Sequence, residues 1–244
     1  MAIAQGSFGA QIRWAFTDRT QGQSAAPYDS LNLAEHVGDD PLDVRANRMK
    51  VAALIGAHVD DVVSMDAVHG NSVAIVTSTS TSPVAQVDAM VTSTPQRALL
   101  VVGSDCSPVV LGDSEAGVIG VAHSGWKGIV SDVSAEVVAA MCSLGATPEG
   151  IHAVVGPSVC GQCYQVDQDR FDATVAVAPE SGVMHPDGTL GLDIRLGVLA
   201  QLRACGVHVS TWGGCTFEDA RLFSYRRDPL TGRQGAMIVI GAGA

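Results

Sequence analysis

The stretch ALLVVGSDCSPVVLGDSEAGVIGVAHSGWKGIV, residues 98–130, decides the fold class. It holds three apolar runs, over residues 98–102, 108–111 and 117–123, set between Gly, Ser and Asp. Short apolar runs with turn-forming ends read as strands buried on both faces. Gly125 then turns the chain into Trp126, Lys127 and Gly128, after which Ile129, Val133, Val137 and Met141 recur at four-residue intervals. That period gives one apolar face to a helix over residues 129–144. Strands running straight into an amphipathic helix point to a mixed α/β body.

Reading outward, a strand is expected over 12–17, then an irregular segment to residue 42. Asp43 is a candidate cap for a helix over 44–55, with Val44, Val51, Leu54 and Ile55 on its buried face and Gly56 ending it. Strands over 61–68 and 73–77 precede a Ser/Thr-rich loop, 77–83. Downstream come a strand over 151–155, helices over 166–177 and 193–205, and strands over 207–211 and 236–240. The 193–205 helix reads most clearly, with Leu192, Leu196, Leu199 and Leu202 in one stripe and Gly206 after its end. No linker, repeat or low-complexity tail interrupts the pattern, so residues 1–244 are expected to form one domain. Strand order is not legible at this level.

Composition narrows the function classes. Of 244 residues, 47% are hydrophobic, 16% are charged and 27 are Gly. The charged share falls below the roughly 25% usual for globular chains, and the apolar share supports a large core without disulfides. The 25 acidic and 14 basic residues leave a net charge of −11, which argues against nucleic acid or an anionic membrane as partner. The six cysteines need not be staples in so apolar a chain, and neither a leader pattern nor a membrane span is evident. A cytoplasmic location with reduced thiols is the expectation.

His69, Cys106 and His123 each stand where an expected strand gives way to a turn. Two imidazoles and a thiolate make a first shell for a transition metal and leave a position for water. The separations of 37 and 17 residues match no compact metal motif, so a buried thiol with two unrelated loop histidines stays open, as does a metal-free Cys–His nucleophile pair. Asp105 either turns inward to move a proton or forms a local Asx turn. Cys160-Gly161-Gln162-Cys163 has the CxxC form, readable as loop packing, as reversible oxidation or as a second metal site. Arg221, Arg226, Arg227 and Arg233 cluster near the C-terminus. With Arg48 and Lys127 they could hold a small anion, or they could pair with the many carboxylates.

Ordered motifs add a resemblance. Leu31-Asn32-Leu33, Val37-Gly38-Asp39-Asp40, Asn47-Arg48, Val68-His69-Gly70, Asp105-Cys106-Ser107-Pro108, His123-Ser124-Gly125-Trp126-Lys127-Gly128, Gly156-Pro157-Ser158, Cys163-Tyr164, Cys215-Thr216 and Phe223-Ser224-Tyr225-Arg226-Arg227 resemble the YfiH/LACC1 family over roughly residues 12–240. Its members carry the labels laccase-domain protein, polyphenol oxidase, purine nucleoside phosphorylase and peptidoglycan editing factor. The resemblance implies a single-domain, multilayered α-β-β-α sandwich with mixed sheets. It also implies a zinc site at His69, Cys106 and His123, with Arg48, Asp105 and Cys106 as catalytic residues. Lys127, Arg227 and Arg233 become candidates for substrate or phosphate contacts. The sequence departs from the family pattern at Ala67, Lys127 and Gln165, where glutamine, arginine and glutamate are common.

The expected activity on this resemblance is zinc-dependent phosphorolysis of adenosine, inosine, guanosine and S-methyl-5'-thioadenosine, with adenosine deamination. Purine nucleosides and inorganic phosphate would be the partners of a monomer or homodimer. Three other readings stand beside it: an amidase editing a muramyl peptidoglycan precursor, a copper-dependent polyphenol oxidase (laccase), and a non-catalytic structural metal domain. Zinc is favoured over copper at this level, because seven histidines without a His-x-His pair are poor material for a multicopper cluster.

Overall fold

Strands that are apolar at every position need cover on both faces, and two stacked sheets between helices supply it. The computed structural model describes residues 4–79 and 82–242. Ser80 and Thr81 of the expected 77–83 loop lie outside the described residues. The chain opens with β1 (Ala4–Phe8) and β2 (Ile12–Phe16), then helix α1 (Pro41–Ile55). Seven strands follow: β3 (Val62–Asp66), β4 (Val73–Ile75), β5 (Val84–Ala85), β6 (Ala89–Thr92), β7 (Ala98–Gly103), β8 (Ser107–Asp113) and β9 (Val118–Ser124). Helices α2 (Trp126–Val130) and α3 (Val133–Ser143) lead to β10 (His152–Val155), β11 (Gln165–Val166) and α4 (Gln168–Val175). Strands β12 (Gly182–Met184) and β13 (Leu190–Leu192), helix α5 (Ile194–Ala204), and strands β14 (His208–Thr211) and β15 (Gln234–Ile240) complete it.

One six-stranded sheet runs β1-β2-β15-β7-β3-β5, a second runs β14-β10-β8-β9-β6-β4, and β11-β13-β12 form a small third. Alternation along each strand divides its side chains between two layers. Leu99, Val101, Ala236 and Ile238 of the first sheet meet Val110, Ile119, Val121 and Val154 of the second. The opposite face of the first sheet, with Ala98, Leu100, Met237 and Val239, packs on Val51, Ala52 and Ile55 of α1. The far face of the second, with Val109, Leu111, Val118 and Ala122, packs on α3 and α5 through Val137, Met141, Val198 and Leu202. This is the expected α-β-β-α sandwich.

Several boundaries differ from expectation for identifiable reasons. Helix α1 starts at Pro41 with Asp40 as its cap, since Pro is pre-set for the first helical position. Gly56 ends it at φ 72°, as expected of a left-handed cap. The expected helix over 129–144 is two helices, because Asp132 adopts φ 55° and its side chain accepts the Ala135 N–H to restart the chain as α3. Ile129, Val133, Val137 and Met141 are nevertheless all buried. In α5 the buried stripe includes Ile194 and Val198, whereas Leu196 is 45% exposed. The expected helix over 166–177 shortens to α4 because Val166 pairs with Leu190 in the small sheet. Among the described residues no helix is long and apolar enough to cross a membrane.

Candidate metal centre

The chain changes sheets twice near one point. Between β3 and β4 it passes from the first sheet to the second, carrying His69, and between β7 and β8 it does so again, carrying Cys106. Pairing of β8 with β9 sets Pro108 opposite His123 and Ser107 opposite Ser124, so the end of β9 delivers the second histidine beside the cysteine. One ligand atom from each of His69, Cys106 and His123 lies within 4.8 Å of the others. The two imidazole rings are nearly perpendicular, at 82°, with centroids 4.9 Å apart. His69 and Asp105 hold positive φ, 64° and 103°, so both crossings bend through backbone that non-Gly residues rarely adopt. Gly125 has to be small, because a Cβ there would stand 2.6 Å from Cys106 Sγ.

Asp88, fully buried just before β6, organises this centre. Its Oδ1 lies 3.1 Å from His123 Nδ1 and accepts the His69 N–H at 2.8 Å, while Oδ2 accepts the Gly70 N–H at 2.6 Å. Burial pushes the Asp88 carboxyl up, but the hydrogen bonds from His123 and Gly70 outweigh it and hold its pKa below the ordinary range. A carboxylate on the far nitrogen of an imidazole fixes which nitrogen faces a metal. Burial likewise opposes ionisation of Cys106, but His123 and His69 bring its pKa down to about 6. Burial disfavours the His123 imidazolium, and Cys106 with Asp88 reverses that and raises its pKa. Without a metal the three groups therefore favour a thiolate beside a charged imidazole. Sequence reading missed Asp88. Its only signal was a lone carboxylate leading into the apolar Ala89–Thr92 run.

The centre opens into a cavity of about 800 Å³ whose lining includes His36, Trp126, Tyr164, Tyr225, Arg226 and Arg233. The Arg226 guanidinium sits 4.5 Å from the Tyr164 ring centroid and that of Arg233 lies 5.8 Å from Tyr225. Arg233 commits Nη1 to the Thr231 and Gly232 carbonyls, so its remaining edge can serve an anion in the cavity. His36, also overlooked at first reading, has its pKa lowered by burial and by the positive charge of Arg233.

The other expected site residues are placed differently. Asp105 lines the cavity, but its Oδ1 accepts from Thr216 Oγ1 (2.6 Å) and Ser224 Oγ (2.8 Å), and its Oδ2 from the Arg226 N–H (2.8 Å). It ties the 216–226 loop to the centre. Arg48 lines an adjoining cavity, donating to the Leu33 carbonyl and to Glu35 Oε1 at 2.8 and 2.7 Å. Lys127 is exposed. Arg227 binds the carbonyls of Thr216, Phe217, Asp219 and Leu222, making it a clip for that loop.

Residues 13–241 match the family described as multi-copper polyphenol oxidoreductase laccase. A protein of Streptomyces coelicolor named purine nucleoside phosphorylase is 46% identical over 222 residues, covering 90% of this chain and 92% of its own. The crystal structure of YlmD from Geobacillus stearothermophilus superposes with a TM-score of 0.89 at 29% identity, over 99% of this chain and 98% of that one. The YfiH protein of Bacillus licheniformis gives 0.86 at 28%, over 94% and 92%.

These findings correct three expectations. The zinc-dependent purine nucleoside phosphorylase with adenosine deaminase activity gives way to a laccase-type catalytic protein, because the family match spanning 13–241 is to a polyphenol oxidoreductase. Purine nucleosides and inorganic phosphate fall as partners with it. Of the cations expected to gather round phosphate, Arg233 lines the main cavity, while Arg48 lies in the adjoining one, Lys127 at the surface and Arg227 on backbone carbonyls. Zinc as the primary metal is not supported: the family description names copper, a metal that two imidazoles with a thiolate also suit. The donors fit single ions. Among the described residues, the two groups able to converge on a metal are His69, Cys106 and His123, and Cys160, Cys163, Cys215 and Glu218, neither of them an imidazole-rich cluster.

Proposed function

Because the chain belongs to the multi-copper polyphenol oxidoreductase laccase family, we propose that it oxidises small phenolic molecules at a single copper held by His69, Cys106 and His123. The observation that carries this reading is the convergence of two imidazoles and a thiolate at the edge of an aromatic, cationic cavity. Copper bound there would supply the electron-accepting group and return electrons to dioxygen.

The protein's own residues do the rest. Trp126, Tyr164 and Tyr225 offer ring faces against which a planar phenol can lie. Arg233 and Arg226 draw a phenolate oxygen or ring carboxylate into the cavity and fix its direction. His36, with its lowered pKa, stays neutral near pH 7 and is placed to take the phenolic proton. Asp88 holds His123 in orientation, and Asp105 keeps the loop bearing Arg226 against the centre.

Oxygen uptake by protein loaded with one equivalent of copper tests the proposal, with Cys106→Ala as the control for loose copper. Phenol-dependent uptake that disappears in the variant is expected. Inertness towards phenols, together with phosphate-dependent base release from nucleosides or amino-acid release from a muramyl precursor, would overturn it.

A further inference from the structure

The CxxC loop does not stand alone. Cys160 and Cys163 meet Cys215 and Glu218, brought from about fifty residues away, with one ligand atom from each within 4.8 Å of the others. Cys163 Sγ lies 3.6 Å from Glu218 Oε1. Cys160 N–H donates to Cys215 Sγ at 3.4 Å, a contact suited to a sulfur that carries negative charge. The backbone prepares the arrangement on both sides. Cys163 and Tyr164 N–H both donate to the Cys160 carbonyl, closing the loop into a turn, while Ser158 pairs with Cys215 and accepts the Thr216 N–H. All six cysteines are free thiols, so the three here are available as ligands.

We propose that Cys160, Cys163, Cys215 and Glu218 form a second metal site, closed by four protein ligands and holding one thiophilic ion, zinc or copper(I). Three sulfurs and a carboxylate complete a tetrahedral shell, leaving no position for substrate; such a shell is structural. Three thiolates favour zinc or copper(I) over magnesium, calcium or manganese. Binding releases thiol protons to solvent and changes no oxidation state. The site also has a place in the architecture. Tyr164, a wall of the substrate cavity, follows Cys163, and Thr216, which holds Asp105, follows Cys215. An ion joining Cys163 to Cys215 therefore pins the cavity wall to the anchor of the primary centre. The site is a positioning device, independent of which reaction the cavity supports.

Metal content under reducing conditions tests this separately from the proposed oxidation. Full-length protein is supplied with zinc in one arm and copper(I) in the other, desalted and analysed by mass spectrometry. Wild type should retain two equivalents in at least one arm, Cys106→Ala one, and Cys163→Ser with Cys215→Ser one. Glu218→Gln, a change at an exposed position, should keep the fold by circular dichroism and weaken the second equivalent at least tenfold in a chelator titration. Cobalt substitution of Cys106→Ala should give the intense thiolate-to-metal absorption of a three-sulfur tetrahedral site. A wild type that retains one equivalent in both arms, with none left in Cys106→Ala, would overturn the proposal. So would an intact Cys106→Ala protein whose cobalt spectrum lacks thiolate bands.

Discussion

Asp88 touches both histidine-bearing segments, and its position makes a sharp demand on mutants. Asp88→Asn keeps the shape but loses the carboxylate that orients His123, so copper affinity should fall about 10- to 100-fold in competition with a chelator. An unchanged affinity would show that His123 is oriented by something else. Gly125→Ala puts a Cβ into the space of Cys106 Sγ and should lose the primary metal while the fold survives, as read by metal content and circular dichroism. His36 carries the pH dependence. Burial, Arg233, Arg48 and His123 lower its pKa, with Asp66 opposing. Its neutral form therefore persists below the ordinary 6.5, and phenol turnover should hold to that pH before falling as the imidazole protonates. His36→Gln should flatten this acid limb; a limb that is unchanged would remove His36 from the mechanism. At this scale His69, Cys106 and His123 were legible as candidate ligands through the ordered motifs around them, since their spacing alone left two unrelated loop histidines open. Asp88 and His36 were not, because one carboxylate and one imidazole acquire meaning only from what folds against them.

Helix ends and the loop clip govern stability at the next scale. Asp193 caps α5 by accepting the Leu196 N–H, so Asp193→Ala should cost about 1 kcal/mol in denaturant unfolding. Arg227 is a larger case. Its guanidinium satisfies four backbone carbonyls of the 216–222 loop, and Arg227→Ala should cost about 2–3 kcal/mol and loosen that loop in hydrogen exchange. A loss of activity with no change in stability would instead return Arg227 to a substrate-binding role. The strands in residues 98–124 were legible because both faces are buried and the apolar run is unbroken. β1 escaped notice because its residues alternate between exposed and half-buried around Gly6 and Ser7. The break at Asp132 was hidden because the apolar period continues across it while the backbone does not.

For the whole molecule, the sandwich matters because two of the chain's crossings between its sheets, β3 to β4 and β7 to β8, bring His69 and Cys106 to the metal centre. No local pattern announces this. β15, the last strand, inserts between β2 and β7, and β8 leaves its sequence neighbour β7 for the opposite sheet. Such pairings are set by long-range packing, which explains why element types were readable and strand order was not. If His69, Cys106 and His123 hold copper, that ion would accept the electrons a phenol gives up. The most direct test is anaerobic addition of a phenol to the copper(II)-loaded protein while the thiolate-to-copper absorption and the copper paramagnetic signal are followed. Both signals should bleach in step with phenol oxidation, return when oxygen is admitted, and be absent from Cys106→Ala. A copper(II) signal unmoved by phenol, or phenol oxidation undiminished in Cys106→Ala, would contradict this role for the copper.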